Sequence, residues 1–591
     1  DDISKLNTVN TLGALQSQTP GVNIVQSSGM PGEPFKVTIR GIGTNGDSSP
    51  LYIIDGSPGG DISTLNPSDI ESVDVLKDAA SAAIYGSRAA NGIIMVTTKT
   101  GRKGKPQITF DGYFGVQNIY RMPDVLNAQE YVTIMNESRL MDNLPAYDFA
   151  KDVPNWADIQ SGKWQGTNWL ELGRNKDAPT QNYSIGISGG TEQSVYSTGF
   201  AYTSQEGIIG VPVPKYERYT VRINSEHTLY KSGNLDIIKL GQNLTYSFVE
   251  NNGVAIGDMW YNDVRNMIKT NPLLPNLDET GNYHYAIPWE SRTANPIAQM
   301  EYRSQSINKN HNLKANAFLT IQPIKGLTLK SNFGFTLNAG SYRSYSPKYD
   351  LSTSVKNTLE SVSQSMWTGM AYTLENTATY NFTLEEKHNI SALLGQSIEK
   401  SGMGDNLNAA NGNPLFHDLK HAYISNAPLT ELNGATAMGG SPWGPSRMAS
   451  FFGRVNYDFD NKYMFTAIMR ADASSNFARD HRWGYFPSLS AGWVMSSEPF
   501  MQPIASVVDF LKLRASWGQN GNQAIPPFKY LATIAYSGNY GFGNDKTKPS
   551  LGAYPEILPN VGISWETSEQ TNIGVDARFL NSRLGLALDY Y

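Results

Sequence analysis

Four charged residues, Arg40, Glu71, Lys77 and Arg88, lie in a stretch that is otherwise apolar or small. Charges are almost never buried unless paired. Each is therefore a solvated loop end or half of an ion pair completed elsewhere in the chain. A desolvated pair adds little net stability, yet it can hold two parts of a protein together until something separates them. The same stretch spells Gly41-Ile42-Gly43-Thr44-Asn45-Gly46. A dinucleotide site needs a helix directly after such a turn, so that its N-terminus meets the pyrophosphate. Asp47-Ser48-Ser49-Pro50 and another strand-like run follow instead, and the glycines read as turns.

Metal and covalent chemistry are poorly served. His417 and His421 are four apart, a helical ligand spacing, but they stand in loop sequence without a third ligand. The absence of cysteine removes thiolate catalysis, zinc–thiolate sites and iron–sulfur clusters. No His-Glu-x-x-His or phosphate-loop motif occurs. The expectation is a protein that is not an enzyme, with no catalytic residue, metal or cofactor. A net charge of −6 also argues against a nucleic-acid partner, which would call for a basic stripe.

Aromatic residues are the remaining candidates. Trp156, Trp164, Trp169, Trp260, Tyr261, Trp289, Trp367, Trp443 and Trp483 sit among Asn, Asp, Gly and Pro in long loop-like segments. Such rings either pack the loops on each other and on a partner, or present faces to a ligand.

These residues must be positioned by two kinds of element. Within 15–104, the runs Val37–Arg40, Leu51–Ile54, Val73–Leu76 and Ile93–Thr97 are β-branched or aromatic and bounded by Gly, Pro or Asp. Asp78 reads as an N-cap ahead of a short Ala/Ser helix that must stop at Gly86. From Gln107 the period becomes two: Ile108, Phe110, Phe114 and Val116 share one face. Tyr219, Val221 and Ile223 alternate with Thr220, Arg222 and Asn224, and like runs recur to the end. They are about 9–13 residues long, the length of a tilted strand crossing a bilayer. Tight turns at 189–192, 230–234, 323–326, 384–387, 460–462 and 580–583 alternate with long loops, which is how outer-membrane barrels are built. Charged residues make up only 17% and aromatics 11%, and no run of about 18 apolar residues occurs. The pattern is that of a wide membrane barrel with a polar interior, not of a helical membrane protein.

The Ile39-Arg40-Gly41 element, Leu51 to Gly56, and Lys77 to Gly92 followed by Ile93 to Lys99 resemble the plug domain of TonB-dependent outer-membrane transporters, in the wording of the SusC/RagA-like branch. The resemblance implies a lead-in at 1–14, an α+β plug at 15–105, and a transmembrane all-β barrel at 106–591 with long extracellular loops. The family barrel has about 22 antiparallel strands, whereas roughly fifteen are counted here from Gln107, so several C-terminal strands are expected to be missing. A TonB box is expected upstream of Asp1. The resemblance further implies TonB, a SusD-like lipoprotein lid, outer-membrane lipid, and an oligosaccharide or oligopeptide cargo; a lidless siderophore or cobalamin receptor is the competing expectation. It places Arg40, Glu71, Lys77 and Arg88 at an electrostatic plug–barrel contact, with Glu566 and Glu569 as candidate partners on the wall.

Overall fold

A computed structural model describes every residue except 1–7, 27, 79–81, 257–261, 429 and 544–548, and the side chains of 87 and 88. The N-terminal unit contains a short helix, Thr11–Leu15, capped by the Asn10 side chain. It also has a hairpin of Val22–Val25 with Lys36–Ile39, and a four-stranded sheet in which Leu51–Ile54 runs parallel to Ile93–Thr98. Leu12, Ile24, Val37, Ile54, Ile62, Leu65, Ile94 and Val96 form its core. The helix expected after Asp78 falls partly on 79–81, outside the described residues. From Ala83 to Arg88 the chain is a 3-10 turn, which Gly86 breaks by adopting a φ of 74°.

The rest of the chain builds one large sheet. Fifteen antiparallel strands follow one another in chain order from Gly104–Gln117 to Leu584–Tyr590, and a short sixteenth, Ala437–Pro442, pairs beside His388–Gly412. Gly104–Gln117 and Leu584–Tyr590 form its two edges. All six tight turns fall at strand junctions where the sequence places them.

The alternation is realised as two faces. Ile108, Phe110, Phe114, Ile185, Phe200, Phe333, Leu394, Phe451 and Phe465 are exposed on the outer face. Asn182, Ser184, Ser197, Arg218, Arg222, Asn224, Asn316, Arg470, Asp472 and Asn572 are buried on the inner one, against the N-terminal unit. A polar interior filled by a plug needs this period-two split, because successive strand side chains point to opposite faces. No described helix is long and apolar enough to cross a membrane, which says nothing about crossing by strands.

The loops are not structureless. Segments 118–177 and 252–305 fold together as a helical module around Phe149, Val153, Ile159, Trp169, Leu170, Met267, Leu273, Ile297 and Met300. Its main helix, Ala128–Met141, opens with a capping box in which Asn127 and Glu130 each take the other's backbone N–H. Asn168, Asn262 and Asn295 cap three further helices.

Candidate functional site: the contact between plug and wall

The plug is gripped by the wall chiefly through cations that the wall supplies. The strand Lys215–Ser232 presents Arg218, Thr220, Arg222 and Asn224 on its inner face. Arg222 is buried, pairs with Asp69 of the plug at 3.0 Å, and donates to the Lys99 carbonyl at 2.5 Å and to Ser197 Oγ at 3.1 Å. Asn224 donates to Thr98 Oγ1 at 2.7 Å and to Lys99 O at 3.0 Å. Arg218, 1% exposed, donates to Ser63 O, to Val9 O at 3.2 Å and to Thr203 Oγ1 at 3.3 Å. From the strand Ser306–Ile324, two along in the sheet, Lys314 donates to the carbonyls of Ser57 and Gly59, and Asn316 to Asp55 O at 3.1 Å.

On the far side, Arg470 is held by Asp472 at 2.8 Å and donates to Ile84 O at 2.5 Å, while Asn572 donates to Asp78. Asn66 and Ser68 meet Asn182 and Ser184 at 3.1 and 2.9 Å. The physical logic is consistent. Short plug strands joined by turns leave many backbone carbonyls without ladder partners. A guanidinium carries five donors in a fixed fork and can satisfy several at once. Within the plug, Asp55 accepts from the backbone N–H and hydroxyl of Thr98 at 2.8 and 2.9 Å. Burial pushes its carboxyl above the usual range despite those bonds. The folded plug thus holds this proton more tightly than the unfolded chain does, so Asp55's contribution to stability declines as pH rises through the raised value.

Close approach also depends on Gly86. A Cβ there would lie 2.0 Å from Arg470 Nε, on a backbone of φ +74°. Gly86→Ala is expected to displace Arg470 from Ile84 and to weaken the plug–wall contact by about 1–3 kcal/mol. The check is the guanidinium concentration at which protease first cuts the plug; no change would mean that the wall yields to the methyl group.

The six charges singled out in the sequence are distributed differently from that expectation. Arg40 pairs with Asp78 inside the plug at 2.9 Å, and its guanidinium lies 4.2 Å from the centre of the Tyr591 ring. Glu71 binds Arg102 of the connecting hinge at 2.9 Å, so its ion pair is not with the wall. Lys77 donates to Pro20 O at 2.6 Å within the plug and does not reach the wall. The Arg88 side chain lies outside the described residues. Glu566 faces inward and accepts from Thr44 of the plug at 2.9 Å. Glu569 is corrected: three residues along the same strand it points the other way, where Trp517 and Gln519 bind it at 3.0 and 3.1 Å. An odd spacing on a strand cannot put both carboxylates on one face.

The aromatics separate into three groups. Trp169 is 2% exposed and donates to Asn271 O at 3.0 Å, so it is a core residue of the loop module and cannot face a ligand or lid. Trp156 stacks on Phe149 at 5.6 Å, Trp289 meets Tyr147 edge-on at 4.5 Å, and Trp164 packs on the same core. Trp483 is corrected to the outer face, stacked on Phe451 at 6.2 Å as an interfacial aromatic. Trp260 and Tyr261 lie outside the described residues. Trp367 donates to Asn338 at 3.4 Å, and Trp443 donates to Thr368 O. Trp443 lines a cavity of about 510 Å³ between plug and wall, with Asp61, Thr64 and Leu65 below and Lys314, Thr245 and Asn338 beside it. His417 and His421 do not converge on a common point: His417 meets Glu360 at 2.8 Å and His421 meets Asp418 at 2.9 Å.

Residues 1–93 match the TonB-dependent Receptor Plug Domain, and residues 260–591 match the TonB dependent receptor-like beta-barrel. The chain belongs to the TonB-dependent receptors. It is SusC/RagA-like within that family: 28% identical over 636 residues to TonB-dependent receptor SusC of Bacteroides thetaiotaomicron, covering 100% of this chain and 58% of that protein. TonB-dependent receptor P26 of Formosa agariphila is 30% identical over 603 residues, covering 98% and 56%. The chain thus spans a little over half the length of the curated relatives it matches. Its fold superposes on the RagAB peptide transporter with a TM-score of 0.84 at 24% identity, covering 100% of this chain and 66% of that one. For the Pseudomonas aeruginosa ferric enterobactin receptor PfeA the TM-score is 0.52 at 14% identity.

Proposed function

We propose that this receptor imports an oligosaccharide or oligopeptide across the outer membrane, driven by TonB and covered by a SusD-like surface lipoprotein. The observation that carries the reading is the chemistry of the plug–wall contact. The wall holds the plug by hydrogen bonds from Arg218, Arg222, Lys314 and Arg470 to carbonyls and carboxylates. Hydrogen bonds from charged donors contribute about 1.5–3 kcal/mol each, and a mechanical pull can exchange them for water one after another. An apolar interface of the same area would have no such substitute. Trp443 lines the cavity between plug and wall, where a sugar face or an apolar side chain can lie against its ring. The 118–177 and 252–305 module gives a lid something rigid to sit on.

A lidless siderophore or cobalamin receptor is the second reading. It is supported by short matches to ferric enterobactin receptors, which cover 17% and 19% of this chain. The 28% identity to SusC over the whole of this chain weighs against it, compared with ferric enterobactin receptor matches over less than a fifth of it. The test is to extract the full-length protein from outer membranes in mild detergent and identify by mass spectrometry what remains bound. A stoichiometric lipoprotein with bound peptide or glycan is expected, and the cargo names the substrate class. Recovery alone, with ferric chelate binding and iron-regulated expression, would replace this reading with the second.

A further inference from the structure

A second cavity of about 510 Å³ lies between Asp78, Ile84 and Tyr85 of the plug and the wall strands from Ser446–Phe459 to Glu566–Phe579. Met464, next to the tight turn 460–462, lines it, whereas the cavity beside Trp443 lies toward the long loops. Tight turns face the periplasm in such barrels, so this cavity is on the exit side of the plug. Its charges differ from those elsewhere on the inner wall. Arg218, Arg222, Arg470 and Arg514 each meet an oxygen of this chain, Arg514 being held by Asp576 at 2.7 Å and Asp589 at 3.0 Å. Among the described residues Arg454 meets none, and its Nε is shut off from solvent without a partner. Lys512 reaches the Met464 sulfur at 3.3 Å, a weak acceptor. Asp78, the acidic residue among those lining the cavity, is already engaged by Arg40 at 2.9 Å and by Asn572. Asn572, 3% exposed, gives its Nδ2 to Asp78 and leaves its Oδ1 without a donor.

Two cations without a counter-charge and a buried acceptor without a donor outline the complement of a ligand. Charges are rarely withdrawn from bulk water unless something pairs with them. A guanidinium matches a carboxylate fork to fork, and the cavity has the size of an ordinary small-molecule site. We propose that it is an exit-side carboxylate site. Arg454, supported by Lys512, takes a carboxylate of the cargo, and Asn572 Oδ1 accepts an N–H or O–H of the same oligomer. This rests on the import reading and narrows it to cargo with an acidic end: the free C-terminus of an oligopeptide or a uronate of an oligosaccharide.

Ser516 lines the cavity, so Ser516→Cys in the purified full-length protein places a thiol in the site, and the parent gives the blank rate. Labelling by a neutral maleimide is followed with N-acetyl-trialanine, its C-terminal amide, trigalacturonate or acetate present. Either or both of the trimeric acids are expected to slow labelling, and which one does so names the source of the carboxylate. The amide and acetate are expected to give no protection at the same concentration. In Arg454→Met the half-protecting concentration is expected to rise roughly tenfold, the size of one lost charge-assisted hydrogen bond. Lys512→Met is expected to weaken protection as well, which keeps the test open should Arg454→Met fail to fold. Four results each overturn the proposal: no protection by either acid, equal protection by the amide, protection by acetate alone (an adventitious ion only), or protection unchanged in both variants. No TonB or lipoprotein is used. A negative result strikes the acidic end of the cargo and leaves import itself to the mass-spectrometry test.

Discussion

Replacing Arg222 by alanine is expected to cost the plug–wall contact about 3–5 kcal/mol, the price of leaving a buried carboxylate without its partner. Asp69 would keep its burial and lose the 3.0 Å ion pair, and Lys99 O and Ser197 Oγ would each lose a donor. The barrel itself should survive, because the ladders on both sides of the Lys215–Ser232 strand use only backbone groups. The expected result in a planar bilayer is therefore a receptor whose channel opens at much lower denaturant than the parent's, with unchanged heat-modifiable migration of the barrel. Combining Arg222→Ala with Asp69→Ala should restore part of the loss, since the orphan charge goes with its partner. A single variant as tightly closed as the parent would show that Arg222 does not hold the plug. A double variant no better than the single would assign the loss to the two neutral acceptors.

The second large effect is expected from Trp169→Ala. The indole is buried in the loop module and donates to Asn271 O, joining the 118–177 segment to the 252–305 segment. Truncation leaves a cavity and an unpaired carbonyl, about 3–5 kcal/mol by the usual large-to-small scale. A surface module has no sheet ladder to spread that loss. Hydrogen exchange should rise across Ala128–Met141, Trp169–Gly173 and Asp263–Lys269 and stay unchanged in the strands. Capture of the lipoprotein should fall with it. Trp483→Ala, on the outer face, serves as the control and should leave exchange in these helices as it was. If Trp169→Ala leaves it unchanged too, the two segments are not held together through this residue.

Strand faces were legible from sequence because period two is a local property. Tyr219, Val221 and Ile223 against Thr220, Arg222 and Asn224 is enough to say which side chains point inward. The same parity separates Glu566 from Glu569, a distinction available from the sequence once the strand's starting point is known. The helical loop module was signalled as well, by Asn127-x-x-Glu130 and Asn168-x-x-Glu171, two capping patterns inside segments that otherwise read as loop.

What the sequence determined by itself is therefore the class: a glycine-punctuated plug ahead of long alternating strands joined by alternate tight and long connections. Composition and periodicity suffice for that, since each rests on neighbours in the chain. Only the tertiary structure decided which residues meet across the plug–wall gap. Arg218 touches Val9 and Ser63, Arg222 touches Asp69, and Arg470 touches Ile84, at separations from 153 to 386 residues. Those pairings depend on the height of each wall residue relative to a plug that is docked as a unit. Most of the acceptors are backbone carbonyls, which every residue carries. No residue type marks them, and the wall donors Arg218, Lys314 and Arg470 are not among the contact residues expected from the sequence.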